Sequence, residues 1–299
     1  MDKNAELVKE PSQSWGGAWT ETKLDAFSKY VAAYLTIMKK YPYWETIYFD
    51  GFAGSGSKDI DNKSELYEQL TITEEEEKVY KGAAERVLAL PKMLSFDWYY
   101  FIDMKEDSLK KLEVKLSKFQ KEKKNPFQFK AGDCNKWVLE LSKTMKKTEE
   151  YAALVFLDPF GMQINWESIE TLRSTRTDIW ILVPTGVIVN RLLDRNGELK
   201  CSDKLRSFFG MSEEDIRNEF YEKNPQATLF EDVETIMKIA KPIEKIARLY
   251  SKRLRTVWEN VLETPLVLKN SKNVPIFHLV FASNNPVAVR IAKDIIKKV

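Results

Sequence analysis

Apolar positions along the chain fall into two alternating rhythms. Short, almost wholly apolar runs occur at Ile47-Tyr48-Phe49, Phe96–Ile102, Phe127–Phe129, Tyr151–Leu157 and Asp178–Val183. Runs of this length, rich in aromatic and β-branched residues, predict buried strands. Between them the spacing changes to three and four. Leu24, Phe27, Val31 and Leu35 precede the first run, with Thr20 placed to cap. Ala83, Ala84, Val87 and Leu88 follow it, and Leu109, Leu112, Leu116 and Phe119 follow the second, with Ser108 as the expected cap. A helix over 136–145 follows the third run and one through Trp166, Ile169 and Leu172 the fourth. Strand and helix in alternation predict a parallel sheet with helices on both faces.

The rhythm breaks after Val183. Residues 185–242 carry helical signals, including the capping pattern Ser212-Glu213-Glu214-Asp215, and read as a helical insertion able to contact a substrate or partner. An amphipathic helix over Pro242–Val261 leads to two apolar runs, Thr264–Leu268 and Pro275–Ala282, joined by a polar turn. His278, in the second run, reads as a core or sheet-face residue. A helix from Pro286 closes the chain. The expected architecture is α/β, a seven-stranded, mostly parallel sheet with an antiparallel C-terminal hairpin. Residues 15–184 form its core, 185–242 the insertion and 243–299 the completion of the sheet.

Chemistry concentrates where predicted strands end. The first runs into Asp50-Gly51-Phe52-Ala53-Gly54-Ser55-Gly56, mostly small residues that let the backbone turn sharply beside a ligand. The spacing is not the dinucleotide G-x-G-x-x-G and lacks the Lys-Ser/Thr of a phosphate loop. Asp103 ends the second strand, where an acid can accept from both hydroxyls of a ribose. An acidic insertion, Lys58 to about Lys78, lengthens its separation from the glycine turn. Asp133 either accepts from an adenine amino group or caps the following helix. The fourth strand ends in Asp158-Pro159-Phe160-Gly161, where a stiffened carboxylate and a ring can orient and stack a planar amine. Trp19 and Lys23, on the leading helix, read either as pocket residues or as packing and a solvated charge.

Composition narrows the function. In 299 residues, 47 basic side chains nearly balance 45 acidic ones, a formal net charge of +2. That argues against a chain whose bulk wraps nucleic acid, though a local basic patch remains compatible. One histidine and two distant cysteines, Cys134 and Cys201, leave no expectation of a metal site or a disulfide framework. No membrane-length apolar run and no signal-peptide pattern are expected, so the predicted location is cytoplasmic.

The Phe52-x-Gly54-x-Gly56 turn resembles the first motif of S-adenosylmethionine (SAM)-dependent methyltransferases. With Trp19-Thr20-x-x-Lys23-Leu24, Phe101-Ile102-Asp103, Gly132-Asp133-Cys134-Asn135, the Asp158–Gly161 segment and Leu279-Val280-Phe281-Ala282, the chain resembles the three-Cys-motif partner protein family over roughly residues 15–295. The resemblance implies a Rossmann-like class I methyltransferase fold. SAM would be held by Asp50, Gly51, Phe52, Ala53, Gly54, Gly56, Asp103, Asp133 and Cys134, and Asp158, Pro159 and Phe160 would be catalytic. The implied activity is N-methylation of an exocyclic amine of a nucleobase in RNA or DNA. The alternative is an auxiliary methyltransferase-like partner of a three-cysteine-motif, radical-enzyme-like protein. The Asp158–Gly161 segment also resembles that of transfer-RNA guanine-N2 methyltransferases, while Phe160-Gly161 departs from the Asp-Pro-Pro-Tyr of adenine-N6 DNA methyltransferases.

Overall fold

A computed structural model describes residues 17–54, 82–159, 161–223, 236–270 and 272–299. The acidic insertion at 58–78, Gly56 and Phe160 lie outside the described residues. Helix α1 (Gly17–Met38) leads into β1 (Glu45–Asp50), and α2 (Gly82–Leu88) into β2 (Trp98–Asp103). Then come α3 (Glu106–Gln120), β3 (Gln128–Ala131), α4 (Cys134–Lys147), β4 (Tyr151–Leu157), α5 (Trp166–Thr171) and β5 (Thr177–Val183). These five strands are parallel in the order β3-β2-β1-β4-β5.

Strands β1, β2, β4 and β5 are largely apolar on both sides because helices cover both faces of the sheet, whereas the edge strand β3 carries Gln128 and Lys130 and is only partly buried. Alternate side chains sort cleanly. Tyr48, Phe101, Leu154, Phe156, Trp180 and Leu182 pack with α1, α2 and α3. Ile47, Phe49, Ala153, Val155, Leu157 and Ile179 pack with α4 and α5 on the other face. Helix α1 holds the first layer through the predicted stripe Leu24, Phe27, Val31 and Leu35, all buried. The Phe27 ring stacks on Phe156 at 4.1 Å.

Two helix starts contrast, one against expectation and one in line with it. Ser108 does not cap α3; it is buried inside the helix, whose N-cap is Lys105 with no side-chain cap. Asp133 does cap α4, accepting from the Asn135 amide. One carboxylate placed ahead of a helix thus satisfies its orphan N–H groups, whereas the serine lies a turn too deep.

After β5 the chain makes a π-helical turn, Thr185–Val189, and a single helical turn, Asn190–Leu192. Then follow α6 (Ser202–Phe209), α7 (Glu213–Phe220) and a two-stranded pairing of β6 (Tyr221–Lys223) with β7 (Ile236–Lys238). The region expected to be helical therefore also carries a small antiparallel pair. It docks through α6, which ends at Gly210 with φ 61°. A Cβ there would lie 2.1 Å from Trp166, so only glycine fits. Arg253 locks the junction, its guanidinium 4.6 Å above the Trp166 ring while donating to the Phe209 and Gly210 carbonyls.

Helix α8 (Pro242–Leu254) stops short of the expected Val261, which instead lies in β8 (Asn260–Val261). Strands β9 (Leu266–Lys269) and β10 (Pro275–Ser283) form the expected hairpin, and α9 (Pro286–Ile296) closes the chain. Strand β10 runs antiparallel beside β5 and pairs on its other side with β8 and β9. The main sheet so has eight strands where seven were expected, β8 being the addition. His278 is buried in β10, as anticipated; its ring meets Thr185 Oγ1 at 2.8 Å, and burial lowers its pKa to about 4.

Candidate active site

The order β3-β2-β1-β4-β5 reverses direction between β1 and β4, and ligands of open α/β sheets bind outside the strand ends at such a switch. Asp50, Asp103 and Asp158 stand at or just beyond the ends of β1, β2 and β4, and all three are buried. The sheet thus collects three acids that are 53 to 108 positions apart in sequence at one edge.

Asp158 is not alone there. Lys23, from the first turns of α1, is 0% exposed, and its ammonium donates to Asp158 Oδ2 at 2.5 Å. The reading of Lys23 as a solvated charge is therefore corrected: the side chain is wholly inside, its ammonium 5.3 Å from the Trp19 ring centre. Burial pulls its pKa down, while the charges of Asp158 and then Asp50 oppose that. Trp19 in turn stacks on Phe277 of β10 at 5.2 Å, fixing the start of α1 over the strand exits.

Asp50 sits in a different balance. Burial pushes its carboxyl up to about 7, against hydrogen bonds from the Phe52 amide at 3.3 Å and the Tyr48 hydroxyl at 3.1 Å. The charges of Asp158 and Asp103 raise it further. Asp103 is also raised by burial, and the amides of Lys105, at 2.7 Å to Oδ1, and Gly54 lower it in opposition. A carboxylate offers about four lone-pair positions. These backbone donors leave Asp103 acceptor capacity facing the turn.

The glycine turn is built less for a ligand than expected at its first position. A Cβ on Gly51 would lie 2.6 Å from both Cys134 Sγ and Leu157 Cδ2, so protein packing demands that glycine. Its amide donates to Phe156 O, and the Ala53 amide to Ile102 O, tying the turn to the strands on either side. Phe52 packs, half-buried, against the core of the α4 layer. Gly54 approaches Ser108 of α3, with 3.3 Å available to a Cβ.

Cys134 was expected at the cofactor, but its buried thiol fills the space against Gly51, with its pKa raised chiefly by burial. Asp133 is exposed, and its Oδ1 accepts from both the backbone and the side-chain amide of Asn135. The cap expected of Asp133 is thus present. Asn135 then donates to Gln163 O and accepts from the Asn165 amide, both near 2.8 Å, holding the loop after β4. Pro159 is buried within that loop, and Gly161 faces Ile188 of the π-helical turn.

Sequence reasoning missed the buried state of Lys23 and the anchoring by Asn135. For Lys23 a signal existed: it lies four positions after Trp19 on a helix face continued by the apolar Ala26, Phe27 and Tyr30. For Asn135 there was none beyond its place after a cap.

No family model and no curated protein matches the chain. Among solved structures it is similar to protein LPL1258 from Legionella pneumophila str. Philadelphia 1, of family DUF519. The identity is 13%, over 88% of this chain and 97% of that one, with a TM-score of 0.37, too distant a likeness to speak for fold or chemistry. Among the described residues no helix is long and apolar enough to cross a membrane, and no cluster of three or more metal-ligating side chains occurs.

Proposed function

We propose that the chain is a SAM-dependent N-methyltransferase acting on an exocyclic amine of a nucleobase. The carrying observation is that Asp158 already holds an amine: the Lys23 ammonium is hydrogen-bonded to it inside the protein. A carboxyl group that accepts N–H from a buried ammonium has the acceptor chemistry an incoming amine needs, and Lys23 holds it oriented. The antiparallel β10 completing an otherwise parallel sheet agrees with how class I methyltransferases end.

The residues present suit the cofactor. Asp103 has acceptor capacity for ribose hydroxyls. Three buried carboxyl groups against one buried ammonium favour a cationic ligand over a neutral one, since its charge would offset the burial that raises Asp50 and Asp103. SAM would supply an electrophilic methyl group on a sulfonium centre. Asp50, Asp103 and the turn at 51–54 would bind it, Asp158 would align the amine nitrogen, and Lys23 would hold Asp158. The role assigned to Phe160 is stacking on the base.

The test is incubation of the purified chain with methyl-labelled SAM and unmodified RNA or DNA, followed by mass spectrometry of the nucleosides. An N-methylated nucleoside is expected, and its formation should fall sharply in Asp158→Asn. Failure to bind SAM at all would overturn the reading. Binding without transfer to any nucleic acid would favour the auxiliary role with a three-cysteine-motif partner, in which the Lys23–Asp158 pair simply closes the site.

A further inference from the structure

A second recess lies at the opposite edge of the sheet, where β4 and β5 begin. It is a cleft of about 610 Å³ between the C-terminal half of α1, the strand entries and the start of α9. Ala152, in its wall, lies six positions before Asp158 along β4, or roughly 20 Å at the rise of a strand. The two sites are therefore distinct.

Its charged groups are two and opposed. Arg176 stacks its guanidinium 3.5 Å above the Trp44 ring and forms no ion pair among the described residues, so its N–H edge stays available to a carboxylate or phosphate. Two positions on, Asp178 accepts from the hydroxyls of Tyr30, at 2.6 Å, and Ser283, at 2.5 Å. Each of its oxygens keeps a lone pair for another donor. Between these charges lies Tyr34, 8% exposed, whose hydroxyl has no hydrogen-bond partner among the described residues. Burial and then the Asp178 charge raise the Tyr34 phenol, and Arg176 lowers it, so the hydroxyl senses both. An unpartnered buried hydroxyl costs stability unless something meets it. One wall is apolar or aromatic, notably Ile37, Met38, Tyr41, Trp44 and Ile291, while the strand entries add Thr175, Thr177 and Asn284.

From the opposed charges, the unpartnered Tyr34 hydroxyl and the apolar wall, we propose that this cleft binds a free α-amino acid with a large apolar or aromatic side chain. Its carboxylate pairs with Arg176, its ammonium with Asp178, and its side chain lies along Tyr41 and Trp44. Arg176 immediately precedes β5 and Asp178 is the second residue of that strand, so both charges are rooted at the mouth of the same cleft. That close spacing in the chain suits the adjacent ammonium and carboxylate of an α-amino acid. A nucleotide, whose phosphate and base edge are a whole ribose apart, fits it poorly.

Calorimetry with L-phenylalanine and L-leucine tests the proposal, with 2-phenylethylamine, 3-phenylpropanoate and guanosine monophosphate as controls. Saturable binding of an amino acid is expected, weakened about tenfold or more when either charge is removed from the ligand. Arg176→Ala and Tyr34→Phe should each weaken it by about tenfold. Tyr34→Phe should leave the melting temperature of the free protein unchanged or higher, since the deleted hydroxyl has no partner. No binding of either amino acid, equal binding of the one-charge analogues, preference for the nucleotide, or full affinity in Tyr34→Phe would each overturn it.

Discussion

Asp158, where β4 ends, and Asp178, near the start of β5, lie under the same helix and are held in contrasting ways. Asp158 meets a whole positive charge, the buried ammonium of Lys23. Asp178 meets only two neutral hydroxyls, from Tyr30 and Ser283, and burial pushes its pKa to about 6 against them. Neutral donors do not offset the loss of water around a carboxylate, so Asp178 is poised to gain from a further cationic partner. The ion pair at the other edge has its countercharge already. Helix α1 links the two. Lys23 and Tyr34 are eleven positions apart, close to three turns, so they share one helix face about 16 Å apart.

The contrast is tested most severely by removing the countercharge. Lys23→Met should destabilise the protein by about 3–5 kcal/mol in urea unfolding, because buried Asp158 loses its ammonium partner. The double variant Lys23→Met/Asp158→Leu should regain most of that loss while remaining inactive. A loss under about 1 kcal/mol in the single variant would mean the pair behaves as a surface one. For the same reason Asp158→Ala would strand the Lys23 ammonium, which makes Asp158→Asn the better probe of chemistry.

The pH dependence is next in size. Asp50 has its carboxyl raised to about 7, so between about pH 4 and 7 the folded protein keeps a proton that the unfolded chain releases. Stability from this group is therefore present in acid and lost as pH rises through that window. The change is on the order of 4 kcal/mol. Urea titrations from pH 4.5 to 8, compared with Asp50→Asn, measure it; the same slope in both proteins would clear Asp50 as its source.

A smaller effect is expected at the cofactor. Asp103→Ala should cost about 1.5–3 kcal/mol in SAM affinity by calorimetry, the range for a hydrogen bond to a charged group. Unchanged affinity would take Asp103 out of the site.

Smallest is the loss of one hydroxyl from the weakly held acid. Tyr30→Phe should cost about 1–2 kcal/mol of stability and move the Asp178 pKa above about 6 in a carbon-detected titration. A drop larger than that of Lys23→Met would reverse the ordering on which the comparison rests.

How much was legible follows from the range of each interaction. Strands β1, β2, β4 and β5 were readable because a strand covered on both faces must be apolar at most positions, as Tyr151–Leu157 is. Helix stripes were readable for the same local reason. Boundaries were less so: β8 holds two residues, too short for any periodicity, and α8 ends at Leu254 without a glycine or proline to mark it. The acids at strand exits could be named, since a charge closing an apolar run is visible in the sequence.

What those acids do was settled by partners far along the chain. Lys23 meets Asp158 across 135 positions and Tyr30 meets Asp178 across 148. A lysine on an amphipathic helix looks the same whether water or a carboxylate receives it, so only packing could bury this one. Cys134 and Gly51 likewise became a fitted pair only when α4 closed on the end of β1. The sequence by itself determined the alternation of elements, the glycine turn and the carboxylates at the strand exits, because burial and backbone freedom leave short-range patterns. The tertiary structure alone decided which acids carry a countercharge and which carry only hydroxyls, and it opened the cleft beneath Arg176. Charge pairing and cavity shape depend on residues that no local pattern brings together.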